Sequence, residues 1–153
     1  MDLILWRHAE ALDAEDGIVD LERALTARGE RQAARMAHWL NQHLPATTRV
    51  MVSPPRRAQQ TASALERKFK TVAALAPGGT VPGLLAATRW PDGKEPVLVV
   101  GHQPTLGLVA AYLLAGVAQP WAVKKGAVWW LRRRDRASDD QTVLVTVRGP
   151  ENV

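Results

Sequence analysis

The chain has 153 residues, 46% of them hydrophobic and 23% charged, with a net charge of +5 and no cysteine. That length and composition describe one globular domain spanning residues 1–153, and they exclude a disordered or fibrous chain. The missing thiols exclude disulfides, thiolate zinc sites and catalysis by a cysteine nucleophile, while the positive excess suits an anionic ligand.

The first apolar run, Leu3 to Trp6, has strand length and ends abruptly in Arg7, His8 and Glu10. It is too short for a signal-peptide core and carries Asp2 where a basic region would sit. No later run has the length of a membrane span, so the sequence predicts a cytoplasmic protein with no membrane partner. Residues 11–23 read as an acidic loop with Asp13, Glu15, Asp16, Asp20 and Glu22. Thr26 then predicts the N-cap of a helix whose buried stripe is Ala33, Met36, Ala37, Leu40 and Leu44, stopped by Pro45.

A second strand is predicted over Arg49–Ser53, with Ser53 as N-cap and Pro54 as first residue of the next helix. Its buried stripe reads Ala58, Thr61, Ala62, Leu65 and Phe69, which leaves Arg56 and Arg57 at the dipole-positive start. Residues 71–95 are irregular, with a short strand expected at Val72–Leu75 and a helix near Leu84–Arg89. Val97–Gly101 forms the third strand and runs into His102 and a helix from Pro104, which Gly116 ends. Ala127–Leu131 and Thr142–Val147 predict an antiparallel hairpin joined by a polar turn, Arg132–Asp140. This order gives an α/β domain: a mostly parallel sheet flanked by helices, closed by a C-terminal β-hairpin. The basic cluster Arg132–Arg136 reads as a solvated turn and not as a nucleic-acid surface. Alternation along the strand places one of Trp129 and Trp130 in the core.

Three strands that each stop at histidine or arginine suggest one anion site built from their tips, since ligands bind at this edge of open α/β sheets. Phosphoryl transfer needs a nucleophile able to carry phosphate and cations to neutralise its oxygens. His8 is the candidate nucleophile. Arg7 and Arg57 are candidate clamps, and protonated His102 is a candidate donor to a third oxygen. Taken singly, each has a plain reading: a strand-end pair for Arg7-His8, a helix cap for His102, a solvated charge for Arg57. Arg56, His38 and His43 read as surface residues.

Four ordered segments carry a resemblance. Arg7-His8-Ala9-Glu10-Ala11, Leu25-Thr26-x-x-Gly29-x-x-Gln32-Ala33, Ser53-Pro54-x-x-Arg57-Ala58-x-x-Thr61 and Gly101-His102-x-Pro104 together resemble the histidine phosphatase superfamily, with its phosphoglycerate-mutase-like fold. The short chain and the first motif are similar to its SixA-type phosphohistidine phosphatase branch. The resemblance implies a phosphatase without cofactor or metal, in which His8 is phosphorylated and Arg7, Arg57 and His102 form the phosphate pocket. Ser53 and Glu10 join the expected substrate-binding residues, Ser53 in a supporting role beside the pocket. The first motif usually has glycine where this chain has Ala9, so the backbone there must suit alanine.

Larger members of that family also place an acidic proton donor between the second arginine and the second histidine. Here residues 72–95 offer only Asp92 and Glu95; Glu10, Asp13 and Asp16 are alternative acids. An alkoxide leaving group needs such help, worth about 10²–10⁴-fold, and imidazole leaving phosphohistidine needs less. The expected substrate is therefore a phosphohistidine-bearing signalling or phosphotransfer protein. The alternatives are a phosphomonoesterase acting on a small phosphorylated metabolite and a catalytically silent phosphate-binding module.

Overall fold

The first strand sits mid-sheet because both of its faces are apolar. In a computed structural model describing residues 1–15, 17–134 and 141–153, β1 spans Asp2–Arg7. Leu3, Ile4, Leu5 and Trp6 have no exposed surface, each contributing about 1.5–3 kcal/mol of burial. Leu3 and Leu5 point into one core layer, Ile4 and Trp6 into the other.

Five more strands complete the sheet: β2 (Arg49–Val52), β3 (Lys70–Thr71), β4 (Val97–Gly101), β5 (Val128–Arg134) and β6 (Gln141–Arg148). Their order is β3-β2-β4-β1-β5-β6. The first four are parallel, and β5 and β6 run antiparallel to their inner neighbours. On one face lie α1 (Ala27–His43) and α2 (Arg56–Ser63), whose buried residues share a cluster with Trp6, Val128 and Trp130. On the other, α3 (Val81–Thr88) and α4 (Thr105–Ala115) pack through Leu84, Leu106 and Val109.

Most predicted elements stand where the sequence places them, with four corrections. The second helix begins at Arg56 with Pro55 at its N-cap, and Ser53 caps nothing because its hydroxyl turns to His102. The helix stops at Ser63, so Leu65 is buried from the turn that follows. Residues 73–75 form a 3₁₀ turn after the two-residue β3. The fifth strand continues to Arg134; Arg132 belongs to it, and two bonds of 2.7 and 2.9 Å tie its guanidinium to Asp2. The remainder of the expected turn, residues 135–140, lies outside the described residues. Trp130 is the buried member of its pair and donates to Asp2, while Trp129 is half-buried on the opposite face. No helix among the described residues is long and apolar enough to cross a membrane.

Candidate active site

Three adjacent strands end at one place. β4 lies between β2 and β1, and backbone bonds carry that register one residue past the strands. Ser53 N donates to Val100 O at 3.0 Å, and His8 N donates to Gly101 O at 3.1 Å. His102 therefore emerges between Ser53 and His8. Its ring centroid is 5.0 Å from that of His8, and its Nε2 is 2.6 Å from Ser53 Oγ. Arg7 closes β1 and Arg57 comes from the first turn of α2. Arg7, His8, Arg57 and His102 line one cavity of about 220 Å³.

Each guanidinium is tethered at its tip. Arg7 Nη1 donates to Val123 O at 2.8 Å. Arg57 donates from Nη1 to Asp20 O at 2.9 Å and from Nη2 to Asp20 Oδ2 at 3.3 Å. The same carboxylate accepts from Arg23 Nε at 2.9 Å. Arg7 Nε, Arg57 Nε and His102 Nδ1 remain buried with no hydrogen-bond partner among the described residues. Leaving a buried polar group unpaired costs about 1–3 kcal/mol. The two guanidinium N–H groups suit a tetrahedral oxyanion, as does His102 Nδ1 if it carries the ring proton.

His8 is prepared as a base. Its Nδ1 lies 2.8 Å from the carbonyl of Ala9. A carbonyl only accepts, so Nδ1 carries the proton and Nε2 keeps its lone pair. Burial, reinforced by the charges of Arg57, Arg7 and Arg23, pushes the His8 pKa down to about 4 against the backbone bond's opposing effect. Burial, with His8 and both arginines adding to it, pushes that of His102 down to about 3, opposed by Asp20. Both rings are thus neutral near pH 7, which corrects the protonated His102 expected from the sequence.

The second motif braces the strand tip. Glu10 N donates to Gln32 Oε1 at 3.0 Å, and Thr26 N donates to Glu10 O at 3.0 Å. A side chain on Gly29 would collide with that Glu10 carbonyl, which explains glycine there. Glu10 itself does not line the cavity: its carboxylate accepts from Thr26 Oγ1 at 2.8 Å. Ala9 adopts no positive φ; its side chain packs with Leu25 and Ala33, and its N–H donates to Thr61 Oγ1. Alanine therefore fits where the family usually has glycine.

Arg23, Lys125 and Gln103 also line the cavity, and sequence reasoning missed all three. No spacing signal marks them, since Arg23 sits in an acidic stretch and Lys125 precedes a strand. Asp13 lines the cavity too. Asp92 and Glu95 line a different cavity, beside Arg49 and Val97 at the amino ends of β2 and β4. Asp16 lies outside the described residues. Arg56, His38 and His43 are exposed.

Strand tips that gather two imidazoles and two guanidiniums around a small cavity define an α/β protein built to hold an oxyanion. The family model of the histidine phosphatase superfamily (branch 1) matches residues 3–78. Phosphohistidine phosphatase SixA of Escherichia coli is 33% identical over 129 residues, covering 78% of each chain. An uncharacterised protein of Picosynechococcus is 32% identical over 160 residues, covering 95% of this chain and 96% of its own. The solved structure of the protein histidine phosphatase SixA complexed with tungstate matches with a TM-score of 0.82 at 27% identity, over 99% of both chains. The chain belongs to the histidine phosphatase superfamily and is a phosphatase.

Proposed function

We propose that the protein removes phosphate from phosphohistidine on a protein, through phosphorylated His8. The observation that carries this reading is that Arg7, Arg57 and His102, each with a buried nitrogen that has no partner among the described residues, line one cavity with His8, whose Nε2 keeps its lone pair. The lone pair of His8 Nε2 forms a bond to phosphorus as the P–N bond to the substrate imidazole breaks, and that imidazole takes a proton from water. A second water then attacks phospho-His8, releasing phosphate and neutral His8. The guanidiniums and His102 stabilise the charge on the transferring oxygens throughout.

The size of the cavity favours a protein side chain over a metabolite. At about 220 Å³ it falls below the roughly 300–1,000 Å³ of pockets that enclose small molecules. It admits a phosphoryl group and the ring carrying it, with the rest of the substrate outside. The names of the SixA relatives point the same way. Rapid quench with a ³²P-labelled phosphohistidine protein is expected to trap label on His8. Rates across phosphohistidine, phosphoserine and sugar-phosphate substrates should fall in that order. Faster turnover of simple esters would replace this reading with a metabolite phosphatase. Full turnover by His8→Ala would remove the covalent mechanism.

A further inference from the structure

Ser53 has no exposed surface, and among the described residues its Oγ has one hydrogen-bond partner, His102 Nε2 at 2.6 Å. Two arrangements satisfy that distance. If Nε2–H donated to Ser53, the serine proton would be buried with no acceptor, and His102 would turn a lone pair on Nδ1 toward the incoming anion. If the hydroxyl donates to Nε2, the serine proton is satisfied and Nδ1 carries the hydrogen, as an oxyanion requires. His102 Nδ1 is the buried, unpartnered ring nitrogen.

We propose that Ser53 is a positioning residue whose hydroxyl donates to His102 Nε2 and thereby holds that imidazole in the tautomer that presents Nδ1–H to the phosphoryl oxygens. The inference rests on the phosphatase site described above and deepens it. It accounts for how two identical neutral rings, 5.0 Å apart, take opposite parts. A carbonyl holds Nδ1 of His8 and leaves a lone pair for attack; a hydroxyl holds Nε2 of His102 and leaves an N–H to donate. The low pKa of His102, about 3, makes the tautomer matter, because a neutral ring has a single proton to place.

Long-range ¹H–¹⁵N NMR on the wild-type protein reads the tautomer without any variant; the expected signature is a protonated Nδ1 and a bare Nε2 on His102. Ser53→Ala is expected to lower kcat by about 10–100-fold with a smaller change in KM, and Ser53→Thr, which keeps the hydroxyl, to recover most of it. A proton on Nε2 in the wild type overturns the proposal, as does a Ser53→Ala enzyme with wild-type kcat. Either result leaves the phosphorylation of His8 standing.

Discussion

The two ends of the parallel sheet both carry charged cavities, and we place the chemistry in the smaller one. At the amino ends of β2 and β4, a cavity of about 380 Å³ is lined by Arg49, Arg89 and Lys94 together with Asp92 and Glu95. At the carboxyl ends the volume is about 220 Å³. The difference lies in burial. Arg89, Lys94 and Glu95 include exposed groups that water already solvates, so a ligand gains little there. Arg57 and His102 are 4% and 5% exposed and carry buried nitrogens with no partner among the described residues, so a bond made there by an anion would add to what the fold supplies. Volume alone is a poor guide to a site; buried guanidinium and imidazole nitrogens on the residues lining a cavity are a better one.

Substitutions at the two ends test that contrast. His8→Ala is expected to lower turnover by at least about 10⁴-fold, as loss of a covalent nucleophile does, and to abolish the trapped phosphoenzyme in a quench assay. Arg7→Ala, Arg57→Ala and His102→Ala should each cost about 10²–10³-fold in kcat. Combinations should cost less than the product of the single losses, as steady-state kinetics on the double variants would show.

The pH profile sharpens the contrast next. Protonation consumes the lone pair of His8, so kcat/KM is expected to fall as pH drops through about 4, well below the ordinary histidine value of 6.5. Arg57→Gln removes a charge that depresses the His8 pKa and should move this limb to higher pH, besides lowering the rate. An unmoved limb would break the electrostatic account. At the opposite end, Arg89→Ala and Lys94→Ala should leave kcat and KM within about twofold of wild type, as surface substitutions usually do. A large loss there would overturn the assignment of the site to the carboxyl edge.

Much of this was legible beforehand because local rules govern it. An apolar run bounded by polar residues makes β1, and Thr26 with its 3.6-residue stripe makes α1, whose cap accepts from Gly29 N as expected. The motif spacing named Arg7, His8, Arg57 and His102, which the fold brings to one cavity. Ser53 was misplaced because serine before proline is a common helix start. Its actual partner, His102, lies 49 residues away and becomes its neighbour through the β2-β4 pairing. Glu10 stood next to the first motif and was expected at the substrate, yet its carboxylate is used to brace α1.

By itself the sequence determined which side chains end the strands, since strand length and alternation are local properties of hydrophobic patterning. Tertiary structure alone decided what those side chains are. Strand order set His102 between a hydroxyl and a second imidazole, the path of the acidic loop brought Asp20 and Arg23 to Arg57, and burial drove both histidines neutral. Protonation state depends on dielectric surroundings and on charges remote along the chain, and those exist only once the chain has folded.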